Sequence, residues 1–217
     1  WPGYVGALTA TAPGRFAAAI NQAPMRRRTR DPRLRLYDLA ANAASTLRYA
    51  RDIPPDQLLR NVFEVARDYD EAKRMLQSTP IARPVIYTLV GCMPDQRCVI
   101  ERTETDAHMR ADNHGAANDW LRSNPAWEGR VGASKVLTST FEEAAENSRA
   151  RRMELASWRG LFAHDSFAWV TPPVLNAYTR LAVELCPARG ILRVLGYELP
   201  EGQEIAMPAT QPFELTG

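Results

Sequence analysis

The side chains with the clearest chemical potential are three cysteines and three histidines, scattered over 217 residues. They are Cys92, Cys98 and Cys186, and His108, His114 and His164. Neither group has a spacing typical of a metal site, so the sequence predicts no metal and no cofactor. An odd number of cysteines fits no closed disulfide framework, and three free thiols are expected. A disulfide between Cys92 and Cys98 is the alternative in an oxidising compartment.

Arginines on a predicted helix, residues 141–158, form a second group that could act in a site. The helical period puts Phe141 and Ser148 on the buried side of this helix, and Arg152 lies within the same side. A buried arginine needs a partner, so Arg152 is predicted either to act in a site or to form a structural ion pair. Arg151 is predicted to face water.

The segment from Met25 to Arg35 is strongly basic. A patch of this kind can bind phosphates or an anionic lipid surface. The segment lacks interleaved aromatic residues and any nucleic-acid-binding motif, so nucleic acid is not an expected partner. A solvated loop is the favoured interpretation, and a weak contact with a membrane surface is the alternative. Its arginines are Arg26, Arg27, Arg28, Arg30, Arg33 and Arg35.

Length and composition are those of an ordinary globular protein. Of the 217 residues, 45% are hydrophobic and 24% are charged, and the formal net charge is +2. This charge creates no global field that would attract nucleic acid or an acidic membrane. The length suits one domain with a substantial core, and a single domain over residues 1–217 with an irregular tail from 198 is predicted.

The elements that must position these side chains follow from periodicity and turn signals. In the first half, strands are predicted at 1–10 and 15–21, joined as a hairpin by Ala12-Pro13-Gly14. Helices are predicted at 36–51, 54–66 and 71–77. The first helix is rich in alanine and has helical spacing of Leu39, Ala43, Leu47 and Ala50.

In the second half, an apolar strand at 84–90 is predicted to pair with 97–102, followed by a weaker strand at 106–113. The helix at 141–158 has Thr140 as its predicted N-cap and acidic residues in its first turn. A last hairpin is predicted from 174–185 and 191–198, and the chain after Pro200 is predicted to be irregular. Strands, then helices, then strands indicate an α+β layered fold.

Six stretches, in order, resemble motifs of the acid ceramidase and N-acylethanolamine amidase family. The resemblance extends from Trp1 to about Glu198. The stretches are Gly3–Thr9 with Ala12–Phe16 and Ile20–Asn21; Asp70–Pro84; Val90–Gly91 with Arg97–Arg102; Asp112–His114; Ser148–Arg149; and Pro172–Asn176.

The resemblance implies an αββα sandwich of antiparallel sheets, of the N-terminal-nucleophile hydrolase type. It implies hydrolysis of linear amides that carry a hydrophobic acyl chain. The nucleophile of that family is a cysteine that self-cleavage exposes at a new N-terminus, where its own α-amine serves as the base. Penicillin-side-chain acyltransferases and choloylglycine hydrolases are related alternatives. A catalytically inactive module that binds acyl lipids is an alternative of another class.

The resemblance also implies roles for individual residues. Asn113 matches an asparagine that donates its side-chain amide to the oxyanion of the tetrahedral intermediate, with His114 as its neighbour. Asn21 matches a residue beside the nucleophile, where its backbone N–H contributes to substrate binding. Arg149 matches an arginine that stabilises the thiolate, and Arg152 is the alternative. A shift of register would put Asn118 in place of Asn113.

The nucleophile itself has no counterpart in this sequence. Trp1 is not a nucleophile, and all three cysteines are internal, so none has a free α-amine. The resemblance therefore implies a further segment or partner chain that carries the cysteine and pairs beside the Gly3–Asn21 hairpin, and the chain alone is expected to be inactive. A start at Trp1 rather than Met is typical of a processed product or a fragment. No signal peptide opens the sequence, which favours a soluble, cytoplasmic location.

Overall fold

A computed structural model gives the fold of the chain. It describes residues 4–28, 31, 34–111, 115–122, 127–128, 140–161, 164 and 166–217. Within these residues the chain forms four α-helices and eleven strands, and every strand pair is antiparallel. The predicted α+β architecture with antiparallel sheets is confirmed.

A five-stranded sheet forms the centre of the first half, with the strand order β1-β2-β4-β5-β6. The predicted hairpin is formed by β1 and β2, and Gly14 in its turn has φ +71°, a conformation that glycine adopts without steric cost. The strand at 106–113 is shorter than predicted. The strands are β1 (Thr9–Ala12), β2 (Phe16–Gln22), β4 (Val85–Gly91), β5 (Arg97–Arg102) and β6 (Ala107–Arg110).

Two helices cover one face of this sheet, α2 (Pro55–Val65) and α3 (Tyr69–Ser78). Alternation along β2, β4 and β5 puts Phe16, Tyr87 and Ile100 on that face, where all three are fully buried. The apolar stripe of α2 packs against them in one cluster. Pro55 fits the first turn of α2, where a missing N–H costs nothing.

The helix α1 (Arg35–Arg48) occurs where it is predicted, but its apolar stripe faces solvent. Leu47 is 75% exposed, while Asp38 on the other side of the helix is completely buried. The reason is that α1 packs against β3 (Met25–Arg26), a polar segment, and not against the apolar sheet face.

The second half contains a separate sheet in which β9 (Ile191–Glu198) pairs with β8 (Leu181–Cys186) on one side. On its other side, β9 pairs with β11 (Phe213–Thr216) and β10 (Met207–Pro208). The tail is therefore not irregular as predicted, because it returns to add strands to β9. Residues 174–180 form turns rather than the start of a strand.

Two further elements connect the halves. The short strands β3 and β7 (Trp127–Glu128) pair with each other. The helix α4 (Phe141–Ser157) begins with a capping box, in which the Thr140 side chain accepts from the Glu143 N–H and the Glu143 carboxylate accepts from the Thr140 N–H. This reciprocal cap satisfies two backbone donors and confirms the predicted start of the helix.

Candidate functional site

The end of β2, the segment 115–122 and the helix α4 meet through one asparagine. The Asn118 Nδ2 donates to the Gln22 carbonyl at 2.8 Å, and its Oδ1 accepts from Arg151 Nη2 at 3.1 Å. Both ends of the amide are thus occupied, so Asn118 fixes the position of β2 relative to α4. We call this region the β2–α4 junction; it comprises Asn21, Gln22, Asn118, Asp119, Arg151 and Arg152.

A buried ion pair forms the second link of the β2–α4 junction. Arg152 Nε donates to Asp119 Oδ2 at 2.8 Å, and the two side chains are only 11% and 14% exposed. Gly115 lies so close to α4 that a Cβ on it would be 2.5 Å from the Arg152 carbonyl oxygen. The segment 115–122 can therefore lie directly on the helix backbone because residue 115 is a glycine.

A second buried pair, on the five-stranded sheet, anchors the same segment. Glu101 on β5 and Arg110 on β6 form an ion pair at 3.0 Å, and each side chain is almost fully buried. The Glu101 carboxylate also accepts from the Leu121 N–H at 2.9 Å. Arg110 Nη1 donates to the Gly115 carbonyl at 3.3 Å. Sheet, segment and helix are thus held together by charged groups in a largely dry environment.

Two predicted site residues, Asn113 and His114, lie outside the described residues. The described residues that flank them, Arg110 and Gly115, are joined by the hydrogen bond above. The chain therefore leaves β6 and reaches α4 within five residues of sequence. Asn21 lies in β2 opposite Ile86 and is half-buried, one residue before the carbonyl that Asn118 binds.

The three arginines of α4 differ from the prediction in one respect. Arg152 is buried and has an acidic partner, as its position on the helix predicts. Arg149 is exposed. The prediction for Arg151 is wrong: its guanidinium lies in the β2–α4 junction, and burial lowers its pKa while the nearby Asp119 raises it. Its hydrogen bond to Asn118 requires a residue distant in sequence, which helical periodicity does not reveal.

The sequence analysis also missed Glu101 and Arg110. A signal for Glu101 exists, because strand alternation puts it on the same face of β5 as Val99, which is buried. A carboxylate on a buried strand face needs a charged partner, and the neighbouring strand supplies Arg110. Guanidinium groups in such a site can stabilise negative charge that develops during a reaction.

The thiols are placed unfavourably for nucleophilic chemistry. Cys98 is buried in the core, and burial raises its pKa, although a hydrogen bond from Tyr69 acts in the opposite direction. Cys92 Sγ lies 3.6 Å from the Arg15 carbonyl oxygen. No cysteine is in the β2–α4 junction as the structure describes it.

Over the described part of the chain, no group of three or more histidine, cysteine or acidic side chains could hold a metal ion. No helix formed by those residues has the length and apolar character needed to cross a membrane.

Comparison with known proteins gives two results and one negative. No protein-family model matches the chain. Acid ceramidase from Heterocephalus glaber is 32% identical over 107 residues, which is 48% of this chain and 24% of the length of that protein. The N-acylethanolamine-hydrolyzing acid amidase ortholog of Caenorhabditis elegans has the same fold, with a TM-score of 0.58 over 87% of this chain and 73% of the amidase chain, at 17% identity.

The sequence match and the fold match agree with each other and with the six motifs. The 107 matched residues extend beyond any single motif. The structural match extends over most of the chain and includes both antiparallel sheets in the share covered. The chain is therefore related to the family of acid ceramidase and N-acylethanolamine acid amidase, as the sequence motifs predict.

Proposed function

We propose that the chain forms the major part of a hydrolase that cleaves linear amides with a hydrophobic acyl chain. The observation that carries this proposal is the agreement of the acid ceramidase match with the amidase fold. Both relatives are named for proteins of this chemistry. The chemistry is assigned here through the residues of the β2–α4 junction and not through the fold alone.

The nucleophile in this proposal is a cysteine at the N-terminus of a segment or partner chain that carries it, exposed by self-cleavage of a precursor. Two features of the described thiols support this. Cys98 is held protonated by burial, and only a thiolate is a good nucleophile. Cys92, Cys98 and Cys186 are all internal, so none can use its own α-amine as a base.

The site residues are assigned by position. Asn113 donates to the oxyanion, with His114 beside it, and Asn21 contacts the substrate from the end of β2. Of the two arginines, we assign Arg152 to the site in preference to Arg149, because Arg152 is buried against the segment that follows Asn113 and Arg149 is exposed. Asn118 is not assigned as the oxyanion donor, because both ends of its amide are already bound.

The test is an assay of fatty-acid release from N-acyl amides by this chain joined to a segment whose mature N-terminus is cysteine. Asn113→Ala is expected to lower kcat by about 10²–10³-fold with little change in KM, because the oxyanion exists only in the transition state. Asn61→Ala on α2 is the matched control and should retain full kcat. Replacing the N-terminal cysteine with alanine should abolish turnover.

The unjoined chain is expected to show no turnover. Robust release of fatty acid by it would contradict the proposed nucleophile. Tight binding of an N-acyl amide without turnover in the joined protein would favour an inactive acyl-lipid-binding module. Transfer of the acyl group to an added amine in preference to water would favour an acyltransferase.

A further inference from the structure

The helix α1 presents an apolar surface to solvent. On a helical projection Leu36, Ala40, Ala43 and Leu47 form one continuous stripe, and all four are exposed. Leu36 is 71% exposed and Leu47 is 75% exposed. Tyr37 and Leu39 lie at the two margins of the stripe and are also exposed. We call this surface the α1 apolar face.

The orientation of α1 is fixed by polar contacts on its inner side. The buried Asp38 Oδ1 accepts from the Arg28 backbone N–H at 2.8 Å. The Asn42 Nδ2 donates to the Arg26 carbonyl at 2.7 Å, and Ser45 Oγ lies 3.4 Å from Glu104. Rolling the helix to bury its leucines would break these contacts and leave a carboxylate unsatisfied, so the outward orientation is the stable one.

The segment that carries the α1 apolar face is strongly basic. Residues 26–51 contain eight arginines and two aspartates, a net charge of +6, while the whole chain carries +2. One of the aspartates, Asp38, is buried and does not reduce the charge at the surface. Arg28, Arg48 and Arg51 are exposed. Positive charge is thus concentrated beside the exposed leucines.

We propose that the α1 apolar face docks on an anionic lipid surface. An amphipathic helix that combines exposed leucines with adjacent arginines lies in the interface plane, with its apolar side at the boundary of headgroups and acyl chains. The arginines contact the lipid phosphates and add to the affinity. A single-signed cationic border matches an anionic bilayer, and this charge complementarity selects it over an apolar protein groove. The docking does not depend on the amidase activity.

The test is cosedimentation of the 217-residue chain with vesicles of equal parts phosphatidylserine and phosphatidylcholine, compared with vesicles of phosphatidylcholine alone. Binding to the anionic vesicles is expected, with weakening as salt is raised. Leu36→Glu/Leu47→Glu should lower the affinity by at least about tenfold, because two buried side chains per helix are lost from the lipid. Arg48→Glu/Arg51→Glu should lower it by about fivefold or more for each arginine.

Leu181→Glu is the matched control, since Leu181 is 65% exposed on the second sheet, and it should bind as the wild type does. Circular dichroism and thermal unfolding should be the same for all variants, because every substituted side chain is exposed. Equal binding to the two vesicle types, or unchanged binding by the leucine variant, would overturn the proposal. So would a dimer, detected by light scattering, that the leucine variant dissociates while lipid binding is absent.

Discussion

The helices α1 and α2 are neighbours in sequence and both are amphipathic, yet they face opposite ways. In α2 the apolar side points inward, and Leu58, Leu59 and Val62 are completely buried. In α1 the polar side points inward, and Asp38 is completely buried while Leu47 is exposed. The same kind of pattern therefore led to two opposite orientations.

The difference comes from the surface that each helix meets. The helix α2 lies on a sheet face that contains Phe16, Tyr87 and Leu89, so only an apolar side can be buried there. The helix α1 lies on the arginines and backbone groups around β3, which need hydrogen-bond and charge partners. Periodicity gives the two sides of a helix, and the opposing surface decides which one is buried.

The largest expected effect separates two leucine truncations. Leu58→Ala in α2 should lower the free energy of unfolding by about 2–5 kcal/mol, because it leaves a cavity in a closed core. Leu47→Ala in α1 should change it by less than about 0.5 kcal/mol, because the side chain is already in water. Urea unfolding of both variants measures this. Similar losses in the two variants would mean that the leucine face of α1 is buried in solution.

The next effect concerns the buried carboxylate that holds α1. Asp38→Ala should destabilise the attachment of α1 by about 2–3 kcal/mol, because it leaves the Arg28 N–H without its acceptor and removes the acidic neighbour of Arg27, 3.9 Å away. Amide hydrogen exchange should increase in α1 and remain unchanged in α2. Asp38→Asn retains an acceptor oxygen and should give a smaller increase. Uniform exchange changes throughout the chain would contradict a local role.

Much of the fold could be predicted because local signals and packing agree. The apolar run at 84–90 could only be a buried strand, and Met93-Pro94-Asp95 turns it back on 97–102 as the structure has it. The Thr140 and Glu143 spacing predicted the start of α4, since the cap contacts are between near neighbours in sequence. The burial of Arg152 followed from helical periodicity alone.

What could not be predicted depends on contacts between residues distant in sequence. Arg151 has solvent-facing periodicity, but it binds Asn118, which lies 33 residues away. The tail strands β10 and β11 have few apolar residues of their own and form because β9 offers them a free edge. For the same reason no pattern within residues 35–48 indicated that a carboxylate would be its buried residue.

A third test compares two arginines on α4. Arg152→Met should lower the free energy of unfolding by about 2 kcal/mol, because it leaves Asp119 charged and largely buried without its partner. Arg149→Met, at an exposed position, should change it by less than about 0.5 kcal/mol. Thermal or urea unfolding measures both. If the double variant Arg152→Met/Asp119→Leu regains wild-type stability but not amidase activity in the joined protein, then Arg152 has a role beyond its structural pair.

The smallest expected effect is a pH dependence at the attachment of α2. The Tyr87 hydroxyl donates to the Pro55 carbonyl at 3.0 Å, at the first turn of α2, and burial raises the pKa of this phenol. Since the folded pKa is above the unfolded value of about 10, the folded state holds this proton more tightly. Stability is therefore complete below about pH 10 and falls above it, by about 1.4 kcal/mol per pH unit for each such group.

Tyr87→Phe removes this proton from the linkage, so the decline of unfolding free energy above about pH 10 should become shallower by about one proton's worth. It should also cost about 1 kcal/mol at neutral pH, because the Pro55 carbonyl loses its donor. Tyr178→Phe, at a position 62% exposed, is the control and should leave the slope unchanged. Urea unfolding between about pH 8 and pH 11 measures both slopes. Burial of Tyr69 also raises its pKa, so some alkaline slope should persist in Tyr87→Phe. A slope as steep as that of the wild type would show that the Tyr87 phenol is not held in the dry contact between α2 and the sheet, and the contrast with α1 would then lose its clearest electrostatic sign.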